Sequence, residues 1–124
     1  MKAKPKQEQD PKIWEIKGLN LAFDVNDLDD AEKLDSALDE MLSTAEALKE
    51  SGSYVAAIRG SMEMYMAFFR KLFPEDAEKL LSDLPAKNLK PYEDMYICFL
   101  EFIQMNSNRR IERLNRFRPA GRKK

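Results

Sequence analysis

Histidine is absent from the 124 residues, and cysteine occurs once, as Cys98. The first absence removes Ser-His-Asp and Cys-His catalysis and every His-ligated metal site. The second removes an internal disulfide and any multi-cysteine zinc site, and it suits a reducing compartment. Glycine and proline are scarce, at four and six residues, so long elements are expected rather than many turns. The glycines stand singly, and no phosphate-cradling loop can be drawn through them. The longest stretch without a charged side chain is Ser51 to Ile58, far short of the roughly 20 residues that cross a bilayer. The Lys-rich opening has no apolar segment, so neither a secretory signal nor membrane attachment is expected. A 14.4 kDa chain with 44% hydrophobic and 35% charged residues reads as one soluble globular domain.

The net charge of −1 hides three zones. Residues 1–12 carry Lys2, Lys4, Lys6 and Lys12 against Glu8 and Asp10. Residues 106–124 carry Arg109, Arg110, Arg113, Arg116, Arg118, Arg122, Lys123 and Lys124 against Glu112 alone. The acidic excess therefore lies between them. An acidic body with a basic end can meet a second copy, an acidic partner or itself. Phe117 is the only aromatic residue in the basic segment. No stacking platform for single strands accompanies it, and nucleic acid is an unfavoured partner.

Three segments follow from the pattern: a flexible arm at 1–12, a single domain at 13–105, and a basic helix end and tail at 106–124. In the domain, Leu19, Leu21, Phe23 and Val25 alternate as a strand does. Lys17-Gly18 separates them from Ile13-Trp14-Glu15-Ile16, which predicts a tight hairpin with Gly18 at positive φ. Such a hairpin must lie on helices or join a sheet made with another copy. Ala31, Leu34, Leu38, Met41, Ala45 and Leu48 step by three and four, predicting a helix over 28–50 that Asn26, Asp27 or Asp29 can cap. Ser51-Gly52 ends it and Ser53 caps the next, about 54–73, with Val55, Ile58, Met62, Tyr65, Phe69 and Leu72 in one stripe. Pro74 opens a short third helix, 75–83, and Pro91 opens a long last one that Pro119-Ala120-Gly121 stops. The fold class is mainly α with a short N-terminal β-hairpin (α+β), a four-helix small domain with a long C-terminal helix.

Few constellations invite chemistry. An EF-hand loop begun at Asp24 puts Leu28 at a ligand position, and one begun at Asp27 puts Ala31 there, so calcium is rejected in both registers. Glu93, Asp94 and Glu101 have no partner suggesting acid–base work. Cys98 lies within the apolar run Met95 to Leu100 and reads as a buried, inert thiol. No catalytic residue, metal ligand or cofactor site is assigned. The second helix carries Met62, Met64, Met66, Tyr65, Phe68 and Phe69, more apolar surface than one stripe. Methionine adapts to varied apolar partners. Ordinary core is the plain alternative; a groove for a partner helix or a subunit interface is the other.

The strings Gly18-Leu19-Asn20-Leu21-Ala22-Phe23-Asp24-Val25 and Asp29-Asp30-Ala31-Glu32-Lys33 lead into Ile58-Arg59, Phe68-Phe69, Leu72-Phe73 and an apolar last helix. Over residues 18–105 this order resembles the small tail assembly chaperones of long-tailed bacteriophages. The resemblance implies a non-enzymatic factor in the cytoplasm of an infected bacterium. Such a factor binds and solubilises the apolar helical tape-measure protein, helps recruit tail-tube subunits, and is absent from the finished particle. Apart from the resemblance, the apolar surface of the second and last helices exceeds what so small a bundle can cover and predicts a homo-oligomer or a helix-binding protein, with Met62, Tyr65, Met66, Phe69, Phe99 and Phe102 as the expected apolar contacts. Arg109, Arg110, Arg113 and Arg116, outside the matched residues, are the expected charged interface. A structural adaptor of the phage particle, and a nucleic-acid-binding regulator using those arginines, are the alternatives.

Overall fold

The computed structural model describes residues 12–116; all of the expected arm at 1–12 except Lys12, and the tail from Phe117 onward, lie outside that range. Two strands, β1 (Ile13–Ile16) and β2 (Leu19–Ala22), are followed by α1 (Leu28–Lys49), α2 (Tyr54–Leu72), α3 (Ala77–Leu81) and α4 (Lys90–Arg116). The protein is mainly α with a short N-terminal hairpin, as its periodicities predict.

The strands pair antiparallel, with Trp14 opposite Leu21 and Ile16 opposite Leu19. Lys17 and Gly18 both take positive φ, 54° and 78°, the requirement of a two-residue turn whose twist matches the strands. Only glycine meets it without steric cost. Lys17 meets it while its ammonium reaches the carbonyl of Leu80 at 3.0 Å and the carboxylate of Asp83. That contact fastens the turn to the end of α3. The hairpin lies on helices, the first of its two expected fates.

Its inner face carries Trp14, Leu21 and Phe23, each buried. The indole lies between α2 and α4, with ring centroids 6.0 Å from Phe69, 6.1 Å from Phe73, 5.0 Å from Phe99 and 6.3 Å from Phe102. Phe99, fully buried, also meets Phe23, Phe68, Phe69 and Phe73 edge to face, the arrangement the ring quadrupole favours. This aromatic cluster is the centre of the core. α3 closes one side of it with Ala77, Leu80 and Leu81. The Tyr92 hydroxyl donates to the Pro85 carbonyl at 2.8 Å, holding the start of α4 to the loop before it.

α1 starts where Asp27 accepts from the Asp30 amide at 3.1 Å, and α2 where Ser53 accepts from the Ala56 amide at 3.1 Å. Both caps satisfy amides that a helix start leaves unpaired. α1 packs chiefly on α2. Gly60 permits the approach: a Cβ there would fall 2.4 Å from Cδ2 of Leu48. The predicted stripe of α1 is only half-buried, and Ala37, off that stripe, is the one buried residue of the helix. Cys98 corrects its expectation. It is exposed, because the core face of α4 runs through Met95, Phe99, Phe102 and Asn106, and position 98 turns away from it.

Candidate functional site

Four of the six predicted apolar contacts are core residues. Phe69 and Phe99 are fully buried, and Met62 and Phe102 nearly so. For Phe69, Phe99 and Phe102 the correction has a simple cause, since Trp14 of the hairpin packs against all three; Met62 lies outside that cluster, beside Val55, Ile58 and Ala86. Tyr65 and Met66 are half-buried. Tyr65 leans on Tyr96 of α4, centroids 5.2 Å apart. Burial raises the pKa of Tyr65, helped by the negative charge of Glu93 and by Tyr96; burial raises that of Tyr96 too. On the exposed side of the α3 end, the bond from Lys17 lowers the Asp83 pKa.

The apolar surface lies elsewhere. On α4, Ile97 is 51% exposed, Leu100 37%, Ile111 49% and Leu114 51%. With Gln104 and Ser107 they form a row stepping by three, four, three, four and three, the spacing by which one helix meets another. Half-buried Tyr96 and Ile103 flank it. A second apolar hollow, about 470 Å³, is lined by Val55, Ile58, Met62 and Ala86, with Arg59 and Lys87 at its margin. Met62 is its link with the predicted set. Ile111 and Leu114 stand at helical spacing among the arginines, but the row is not among the predicted contacts, because polar residues interleave it and because the six consecutive apolar residues from Met95 hide which of them face inward.

The predicted charged residues Arg109, Arg110, Arg113 and Arg116 all lie on the exposed C-terminal turns of α4. Three of them come together: Arg109, Arg110 and Arg113 line a hollow of about 250 Å³. Arg116 is not part of it. The opposite wall is the open end of the hairpin, Lys12 with Asp24, Val25 and Asn26, where the Phe23 amide donates to the Lys12 carbonyl at 2.8 Å. Asn106 also lines the hollow. It is 5% exposed, and neither its Nδ2 nor its Oδ1 has a hydrogen-bond partner. A buried polar group left unpaired costs about 1–3 kcal/mol. Periodicity treated position 106 only as the start of the basic segment; a polar residue on the core face, four places after Phe102, was the signal available.

Among the described residues, no three His, Cys, Asp or Glu side chains cluster to hold a metal ion, and no helix is long and apolar enough to cross a membrane. The chain matches the model of a family of unknown function (DUF6673) over residues 17–124. No curated protein and no solved structure matches it.

Proposed function

We propose that this chain, which belongs to the DUF6673 family, is a non-enzymatic helix-binding chaperone of the phage tail assembly kind. Its client is an apolar helical protein of the tape-measure type, held in the bacterial cytoplasm by a homo-oligomer. The observation that carries the reading is the row Ile97, Leu100, Ile111 and Leu114, whose first two members stand on the packed part of α4 and whose last two stand on its exposed C-terminal turns. The phage-tail setting comes from the resemblance of residues 18–105 alone.

Magnitudes favour many copies over one. Covering a half-exposed Leu or Ile contributes about 1 kcal/mol. Four such side chains give about 4 kcal/mol, a millimolar Kd before the cost of association is subtracted. A single copy would therefore let go. Copies joined to one another and lying along a long client gain by effective concentration what each lacks. Holding of this kind is passive and relies on reversible apolar contact.

Co-expression with the tape-measure protein of the same genome tests the proposal. The client is expected in the soluble fraction with the wild-type chain and in the pellet with an Ile111→Glu/Leu114→Glu variant. Both side chains are about half exposed, so the variant is expected to fold. A client that precipitates equally with and without the wild-type chain overturns the reading.

A further inference from the structure

We propose that the hollow between the open end of the hairpin and α4 is a binding site for a phosphate-type oxyanion. Asn106 is its floor, and Arg109, Arg110, Arg113 and Lys12 are its positive rim. The helix builds most of it: positions 109, 110 and 113 lie three, four and seven residues beyond Asn106, so all four side chains leave one face. The hairpin supplies the rest.

Three features point to an anion. First, the Asn106 amide is 95% buried by its 5% exposure, yet both of its polar atoms lack partners. Native interiors pair such groups with protein, water or ligand. Both atoms are closed to solvent, so the exposed guanidinium groups meet the anion first and the amide pairs with it once the side chains over it part. Second, among the described residues no carboxylate forms an ion pair with Arg109, Arg110 or Arg113. Arg109 instead donates to the Met105 sulfur at 4.0 Å. Asp24 is the one acid of the wall; its Oδ1 accepts from the Asn26 amide at 2.9 Å, and its single negative charge leaves the three arginines in excess. Third, about 250 Å³ is below the roughly 300–1,000 Å³ of sites for drug-sized ligands. It suits a small group. A phosphate offers oxygens in several directions to several guanidinium forks, which a single carboxylate does not.

This site stands apart from the helix-binding reading. It shares no residue with the row Ile97, Leu100, Ile111 and Leu114, and its test variants, Arg113→Gln and Asn106→Leu, leave that row intact, so either proposal can fail alone.

The test is thermal unfolding of the full chain at pH 7 in increasing inorganic phosphate, with sodium chloride holding ionic strength constant. A ligand that binds only the folded state raises Tm with its concentration. A saturable rise is expected for the wild type. In Arg113→Gln the apparent affinity is expected to fall at least tenfold. Asn106→Leu, which removes the unpaired amide, is expected to fold with an equal or higher Tm in chloride and to lose the phosphate-dependent increment. No saturable rise in the wild type, or the same rise in both variants, overturns the site. A second arm identifies the source of the phosphate. Binding of methyl phosphate but not of a short single-stranded oligonucleotide upholds a phosphomonoester site. An oligonucleotide displaced by inorganic phosphate upholds the same site reading a phosphodiester backbone.

Discussion

Trp14 holds the hairpin to the helices, since its ring touches Phe69 and Phe73 of the α2 end and Phe99 and Phe102 of α4 while being 3% exposed. Replacing it with alanine removes the group that fills the space between them. Trp14→Ala is expected to cost about 3–5 kcal/mol, much of the 5–15 kcal/mol typical of a whole domain. Urea unfolding followed by far-ultraviolet circular dichroism measures it; a loss below 1 kcal/mol would mean the hairpin is not anchored there. Tyr65 and Tyr96 allow a prediction in alkali. Both have pKa values raised above 10.0, chiefly by burial. The unfolded phenols ionise first, so their share of stability is intact below pH 10 and fades as pH rises through the folded values. Ultraviolet difference absorbance is expected to show two tyrosines ionising late, one fewer in Tyr65→Phe. At this scale the sequence was a good guide to which residues are apolar and a poor one to which way they face. Phe69, Phe99 and Phe102 look like contact surface because the hairpin that covers them is distant in sequence, and periodicity within one helix cannot register a cover supplied by another element.

The helices were legible because local signals mark them. Asp27 and Ser53 cap where capping chemistry places them, Gly52 follows the first helix at positive φ, and Pro74 and Pro91 stand just after α2 and just inside α4. The hairpin was legible from alternation and Lys17-Gly18. The relation between elements was not, since nothing local says that Gly60 admits Leu48 or that Asp83 meets Lys17. α4 shows the difference most clearly. Its 27 residues span about 40 Å at 1.5 Å per residue. The last buried position is Asn106, and every residue from Asn108 to Arg116 is exposed. The helix therefore has two regimes, one held by packing and one held only by its own hydrogen bonds. Short helices without tertiary support are marginal in water. Amide hydrogen exchange is expected to be slow from Met95 to about Asn106 and fast beyond it. Uniform protection to Arg116 in dilute monomer would show that something covers the outer turns.

On the scale of the whole molecule, two forces can draw copies together, and they respond oppositely to salt. Residues 24–50 hold ten acids against Lys33 and Lys49, while α4 ends in Arg109, Arg110, Arg113 and Arg116 against Glu112. Charge pairing between an acidic α1 and a basic α4 end would weaken as the Debye length shrinks, from about 8 Å at 0.15 M salt to about 3 Å at 1 M. Contact through Ile97, Leu100, Ile111 and Leu114 depends on removing apolar surface from water, which salt of this kind does not weaken. The chaperone proposal rests on the second force. Light scattering at fixed protein concentration is expected to give a mass above the 14.4 kDa of one chain that persists, or grows, from 0.15 to about 1 M sodium chloride. Ile111→Glu/Leu114→Glu is expected to bring that mass down to one chain at every salt concentration. Arg113→Gln/Arg116→Gln is expected to leave it nearly unchanged. Dissociation of the wild type in high salt, with the Ile111/Leu114 variant still associated, would assign assembly to the charges and overturn the apolar row as the contact between copies, leaving its client-binding role to the co-expression test.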